Sequence, residues 1–402
     1  MIRHHSELTN VVVDTIVINA IVKSRTRGRA ERVEAVMDRM KKLYEKTGNE
    51  TLLPDRVSYT CLIKAHTIDK IPGYAKKCQS ILKFMEEEFS KGKLNLKPDK
   101  YVYASVVHAV SNEGYPEDCE KLVEEMEMLG AKDPDVYPNI VCYNALISSY
   151  GKRRRSDSAS NALRILEKIR SAQAAGNKDL KPINISYSTC IDALARSVDN
   201  NKVQKAEQLM TEILELHRAT DDDDLAPTTH LWCSLMLVYA ESKLQKKAQK
   251  AKKVIERMKV AGAECDTVTF NTLLKACAKT NDFDEETRLQ VLDISKYAFS
   301  EIQKSKDLDP DTLTFNTLMW ISDKFIADDE EKKATIKALF KNCCSEGQVN
   351  DNTISTLMKI ATKEVVRELL GDQLVRKLKI EIRDLPREWS RRRNRFRYRE
   401  KK

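Results

Sequence analysis

What most constrains this chain is that it repeats itself. The stretch Asp266-Thr267-Val268-Thr269-Phe270-Asn271-Thr272-Leu273-Leu274 returns as Asp311-Thr312-Leu313-Thr314-Phe315-Asn316-Thr317-Leu318-Met319. A looser copy reads Asn139-Ile140-Val141-Cys142-Tyr143-Asn144-Ala145-Leu146-Ile147. Each copy opens on a residue that can cap a helix. Apolar residues then follow at roughly i, i+3 and i+4, the mark of one buried helix face. Aligned on the aromatic or its equivalent, the copies fall at Ile18, Tyr59, Tyr103, Tyr143, Tyr187, Trp232, Phe270 and Phe315, with steps of 41, 44, 40, 44, 45, 38 and 45 residues. A helix pair with its turns needs about 34 residues, so each step holds one pair with some to spare. Eight copies in phase argue against an ordinary bundle whose segments merely look alike.

The pattern predicts second helices over 30–40, 74–89, 117–128, 159–170, 203–216, 246–258, 285–302 and 330–344. A degenerate capping helix is predicted over 352–361. The expected division is a lead over 1–10, a repeat array over 11–350, capping helices over 351–382 and an Arg-rich tail over 383–402. A chain of 402 residues exceeds what one core organises, but in a stacked array each unit packs only on its neighbours. Eleven Gly and ten Pro are few, and they gather at repeat ends, as turns in an all-helical chain would.

Composition excludes several classes of function. No run of about 18 apolar residues is present, so no membrane span is expected. The ten cysteines are scattered without a Cys-x-x-Cys pair, and several sit on apolar helix faces, which predicts buried thiols rather than bridges or a zinc site. The six histidines form no His-x-x-x-His pair and accompany no nucleophile motif; His66 and His108 are expected on helix faces. The acidic run 221–224 reads as a solvated loop, and 328–331 as acidic residues favouring a helix N-terminus. No enzyme, metal or cofactor is expected. Net charge is +9, yet residues 383–402 hold ten basic and three acidic residues, so the array itself is nearly neutral. That tail interleaves Arg with Trp389, Phe396 and Tyr398, which suits either an auxiliary RNA clamp or a solubilising end.

The chain resembles the pentatricopeptide repeat proteins. The resemblance rests on the apolar-Thr-aromatic-Asn-x-Leu run at the copies above and on closing elements such as Leu53-Pro54-Asp55, Lys97-Pro98-Asp99 and Asp309-Pro310-Asp311. It covers about residues 11 to 361, with repeats longer than the family's usual length and the excess near their ends. It implies an all-α, right-handed superhelical solenoid of about eight helix-turn-helix repeats, with a degenerate C-terminal cap and a basic tail. It also implies single-stranded RNA as the partner, read at one base per repeat.

By that resemblance the base readers on the first helices are Asn19, Thr60, Ala104, Asn144, Ser188, Cys233, Asn271 and Asn316. Their repeat-end partners are Asp55, Asp99, Asn139, Ile183, Thr228, Asp266, Asp311 and Asn350. The residues sandwiching the bases are Ile16, Val57, Tyr101, Val141, Ile185, His230, Val268 and Leu313. Asn with Asp implies U, Thr with Asp implies G, and Asn with Asn implies a pyrimidine, giving U-G-N-Y-R-N-U-Y from 5′ to 3′. Ala104, Ile183 and Cys233 depart from the usual polar identities and leave their units open. Any of the Asn, Asp or Ser residues could equally cap or turn its own helix.

The function implied is a sequence-selective adaptor in organellar RNA processing, stability or translation, in mitochondrion or plastid. RNA-processing enzymes are further expected partners, and a monomer is expected. Two alternatives stay open: a protein-binding helical scaffold, and the RNA-binding subunit of a processing enzyme whose catalytic part lies elsewhere. The array begins almost at Met1, which fits a start internal to a longer product or a removed targeting segment.

Overall fold

Helix formation in this chain starts at its caps. In a computed structural model, which describes residues 11–153, 155, 157–375 and 380–390, the first helices follow side chains that accept backbone N–H groups. Asp55 accepts from the Ser58 amide at 2.9 Å, Asp99 from Tyr101 and Val102, Asn139 from Val141 and Cys142, and Asp266 from Thr269 at 2.7 Å. Thr228, Asp311 and Asn350 do the same for Leu231, Thr314 and Thr353. Each such bond removes one orphan donor from a helix N-terminus and contributes about 1 kcal/mol. Ile183 has no such side chain; there Ser186 Oγ accepts from the Ile183 amide at 3.2 Å instead.

The chain divides between Asp199 and Asn200 into two units. The first holds α1 (Val11–Lys23), α2 (Arg29–Thr47), α3 (Arg56–Asp69), α4 (Tyr74–Ser90), α5 (Lys100–Glu113), α6 (Pro116–Gly130), α7 (Ile140–Lys152), α8 (Ser158–Ala174) and α9 (Asn184–Arg196). The second holds α10 (Lys202–Thr220), α11 (Thr229–Ala240), α12 (Lys247–Val260), α13 (Thr267–Ala278), α14 (Glu285–Lys304), α15 (Thr312–Phe325), α16 (Asp329–Ser345), α17 (Asp351–Ile360), α18 (Lys363–Leu370) and α19 (Asp372–Val375). Among the described residues there is no strand. The odd-numbered helices up to α17 are first helices and the even-numbered ones up to α16 are second helices. Within each unit the fold is a solenoid of helical hairpins, and α17 stacks on α15 as another first helix would.

Burial follows from that stacking. Within a unit, an inner first helix such as α7 has a second helix on either side, α6 and α8, and a first helix before and after it, α5 and α9. On α7, Cys142 through Ile147 are all buried, as are Ser149, Tyr150 and Gly151. A second helix buries one stripe, as Ala162, Ile165, Leu166 and Ile169 do on α8. The aromatic of each repeat is the keystone. Tyr143, Tyr187, Trp232 and Phe315 are about fully buried, and Phe315 meets Phe299 edge-on at 5.9 Å. Tyr103 donates its hydroxyl to Glu86 at 2.6 Å. Gly151 lets α7 approach α9, since a Cβ there would lie 3.2 Å from the Ala193 Cβ.

The excess length of the repeats has a definite form. Short 3-10 turns, Glu50–Leu52, Leu94–Leu96, Pro134–Val136, Lys178–Leu180 and Asp223–Leu225, sit between a second helix and the next first helix. Each buries its last residue: Leu52, Leu96, Val136, Leu180 or Leu225. The shortest step, 38 residues, contains α12 and no such turn. At the far end of the second unit, residues 380–390 lie across α16 and α17. The Val349 amide donates to the Trp389 carbonyl at 2.9 Å, and the Ile382 amide to Asp351 Oδ1 at 3.2 Å. The expected lead over 1–10 and the tail from 391 onward lie outside the described residues.

Candidate nucleic-acid interface

With three sides of each first helix packed, one face is left. Counting from the cap, the residues on it are two, five, nine and thirteen positions on, spaced i, i+3, i+7 and i+11. The expected sandwiching residues occupy the first of these. Ile16, Val57, Tyr101, Val141, Ile185, Val268 and Leu313 are exposed by 44 to 63%, and His230 is exposed as well. An apolar residue left open once per repeat, at one register position, is not what core packing demands.

The expected readers, at the second position, lie deeper. Asn19 is exposed, and Thr60, Ala104 and Asn316 are half-buried. Asn144, Ser188, Cys233 and Asn271 are buried. Their hydrogen bonds differ from repeat to repeat. Asn271 Nδ2 donates to Asp311 Oδ1 at 3.0 Å, while Thr314 Oγ1 donates to Asn271 Oδ1 at 2.7 Å. Reader and repeat-end partner are thus joined, and Asp311 caps α15 at the same time. Of the pairs that fall within one unit, this is the one so joined among the described residues. Thr60 Oγ1 donates to the Arg56 carbonyl at 2.7 Å, and Ser188 Oγ to the Ile185 carbonyl at 3.2 Å, both within their own helices. Asn19 Oδ1 accepts weakly from the Cys61 thiol, and Cys233 Sγ faces Thr269 Oγ1 at 3.7 Å. The Oδ1 atoms of Asn144 and Asn316 are buried without a partner. In the Asn144 repeat the partner position is Ile183, which offers no polar side-chain atom.

All the repeat-end residues, Asp55, Asp99, Asn139, Ile183, Thr228, Asp266, Asp311 and Asn350, are the N-cap residues of the following first helix. The residue types that would read a base are therefore also those that start the helix. Two grooves contain these positions. One, of about 500 Å³ in the first unit, is lined by Tyr101, Val141, Ala104, Asn139, Lys64 and His108 among others. The other, of about 410 Å³ in the second unit, is lined by Val268, Leu313, Asn271, Asp311, Lys275 and Trp320 among others.

A set of basic residues at the thirteenth position of four first helices, Lys152, Arg196, Lys279 and Lys324, is not among the expected site residues; α3 and α5 carry Ile68 and Asn112 there. The same register count would have found it. Three of the four turn to the C-terminus of the preceding first helix, where carbonyls carry partial negative charge. Lys152 donates to the Ser111 carbonyl at 3.0 Å, Arg196 to Gly151 at 3.4 Å and Lys324 to Thr280 at 2.6 Å. Burial pushes the Lys152 and Lys324 ammonium groups below their ordinary pKa. In the α11 repeat this position carries Glu241, whose carboxylate lies 3.1 Å from Lys275 and 3.3 Å from Lys279. Burial works to raise the Glu241 carboxyl, and hydrogen bonding and charge from the two lysines overcome it, holding it below its ordinary value.

Nothing among the described residues gathers three or more His, Cys, Asp or Glu side chains as a metal site would. All ten cysteines are free thiols, pushed upward in pKa by burial, Cys78 to about 11. His66 is buried, not on an open face, and its Nε2 lies 3.3 Å from Glu34. Asp222 and Asp328 act as caps within the two acidic runs, accepting from the Asp224 and Glu331 amides. No helix among the described residues is long and apolar enough to cross a membrane.

Hairpins stacked so that capped first helices share a face within each unit define a helical-repeat protein of the solenoid class. Family models then match on this chain: one for the pentatricopeptide repeat domain over residues 91–153 and 215–280, and one for the single PPR repeat over 141–170. Over those residues, about a third of its length, the chain carries pentatricopeptide repeats. It is 23% identical over 272 residues to a pentatricopeptide repeat-containing protein of Arabidopsis thaliana, covering 68% of this chain and 32% of that one. It is 25% identical over 267 residues to another from the same plant, described as chloroplastic, covering 64% and 30%. Among solved structures it is similar to the pentatricopeptide repeat protein PPR10 in complex with an 18-nt psaJ RNA element. That match has 18% identity, a TM-score of 0.46, and coverage of 91% of this chain and 50% of the other. The chain spans about a third of the length of those two plant relatives and about half of PPR10.

Proposed function

We propose that the chain is a single-stranded RNA-binding adaptor whose first helices read one base per repeat, acting on organellar transcripts. The observation that carries the reading is the open residue two positions past the cap, apolar in seven repeats and His230 in the eighth, with the reader position three residues further along the same helix face. Aliphatic walls spaced one repeat apart suit a flat base between them, and the polar residue beyond meets its edge. The matched pentatricopeptide repeats support RNA as the partner. A chloroplastic relative supports an organellar setting. Chemistry on the transcript would come from recruited enzymes.

Binding of the purified chain to RNA containing U-G-N-Y-R-N-U-Y, beside a scrambled RNA and the matching DNA at two salt concentrations, tests this. The informative variant is Asp311→Asn, because Asn caps a helix as well as Asp does. It should keep the fold and move the preference of that repeat from U toward either pyrimidine. Equal, steeply salt-dependent binding to all three nucleic acids would defeat sequence reading.

A protein-binding groove is the second reading. It is favoured by the internal hydrogen bonds of Asn271, Thr60 and Ser188 and by the neutralisation of Lys275 and Lys279 by Glu241. Failure to bind any RNA would select it.

A further inference from the structure

The groove between α13 and α15 is longer than one base needs. Val268, Leu313, Asn271 and Asp311 crowd its cap end, and Lys275, Lys279 and Trp320 line the rest. Trp320 follows Leu313 by seven residues on the same face, about 10 Å along the helix axis, beyond the reach of a base held between Val268 and Leu313. Its indole is 42% exposed. The other two tryptophans are employed in packing: Trp232 is about fully buried, and Trp389 lies edge-on to Phe340 at 5.9 Å. Trp320 is also the one six-membered carbon ring at this register position; the other first helices place Lys23, Lys64, His108, Ser148, Asp192, Leu237, Lys275 and Lys359 there.

We infer that Trp320 is a stacking platform for a second nucleotide in this groove, an extra unread one lying between the bases read at the Asn271 and Asn316 repeats, with Lys275 and Lys279 on its phosphate; the RNA used to test it carries one added nucleotide there. This deepens the proposed RNA-binding function and rests on it. An indole face accepts any base, so this subsite adds affinity without sequence preference. The lysines are held in place by Glu241 and exchange that carboxylate for a phosphate when RNA enters. The ligand is a ribonucleotide within a single strand, not a free base, because both ring and phosphate are met.

The test is a titration of the full chain and its Trp320→Ala and Trp320→Phe variants with the predicted RNA so extended, following both anisotropy of labelled RNA and tryptophan emission. Wild type should bind with quenched emission. Trp320→Ala should bind about 5- to 100-fold more weakly, the range of one lost base stack. Its ratio of affinities for U and C at the Asn271 repeat should be unchanged. Trp320→Phe should keep most of the affinity and lose the quench. Wild-type binding without quenching, Trp320→Ala binding like wild type, or a changed U-to-C ratio would each overturn the subsite while leaving RNA binding by the repeats intact. No RNA binding by wild type would overturn the functional reading itself, and the subsite with it.

Discussion

Asp311→Ala should unfasten a repeat before it affects any ligand. The Asp311 carboxylate accepts from the Thr314 amide at 2.8 Å and from Asn271 Nδ2 at 3.0 Å, while the Thr314 hydroxyl gives its one proton to Asn271 Oδ1. Loss of the cap costs about 1 kcal/mol. Stranding the buried Asn271 amide costs about 1–3 kcal/mol more. The sum, about 2–4 kcal/mol, falls on one seam, and a solenoid need not unfold in a single step, so a global midpoint is the wrong observable. Hydrogen exchange is the right one. Amides of α13 and of the first turn of α15 should exchange roughly 30- to 700-fold faster, at about 1.4 kcal/mol per tenfold, with α11 and α12 little changed. Asp311→Asn, which can still cap, should stay within about 1 kcal/mol of wild type. Exchange at the seam altered less than about threefold in Asp311→Ala would refute the assignment of cap and cross-repeat bonds to this carboxylate.

Other perturbations test other parts of the molecule. Glu241→Gln should free Lys275 and Lys279, strengthen RNA binding at low salt and steepen the salt dependence by about one phosphate contact; weaker binding would show the carboxylate to be needed for the groove. Gly130→Ala would place a Cβ 2.6 Å from the Tyr137 Cα and should destabilise by about 1–3 kcal/mol, read as a lower melting temperature of the full chain. Burial depresses the His66 pKa, with Lys77 adding to this and Glu34 and Asp69 opposing it, so the fold favours the neutral ring. Its contribution is full above the unfolded value of 6.5 and is lost as pH falls toward the folded pKa. The urea midpoint should drop between pH 7.5 and 5.5, and His66→Gln should lessen the drop.

What could be read from the sequence was what local chemistry decides. A cap followed by a periodic apolar face is specified within about one turn, so Asp55, Asp99, Asn139, Asp266 and Asp311 marked their helix starts correctly. Buried thiols followed from cysteines placed on apolar faces. The excess length was seen, but its form was not. Yet Asn49, Asp133, Asn177 and Asp222 each stand three residues before a buried aliphatic residue, the signature of the capped 3-10 turns. Other features depend on neighbours about 40 residues away in sequence and could not be read locally. Asn271 and Asn144 look alike in sequence. Thr314 and Ser186 both accept from the amide of the residue capping their helix, yet Thr314 also donates to the Asn271 carbonyl, whereas the Asn144 carbonyl goes unmet.

The bond between Asn271 and Asp311 places the proposed reading pair across a joint. Asn271 belongs to one hairpin, and Asp311 begins the next. A segment copied from Asp266 through Pro310 would reproduce a complete hairpin yet divide the pair, giving the copy a new companion at each end. A segment copied from Thr267 through Asp311 would transplant the pair whole. If the pair reads a base as proposed, duplication and shuffling of such chains would generate new specificities at the junctions even when no residue mutates, and the module that inherits a preference is offset by one residue from the module that folds.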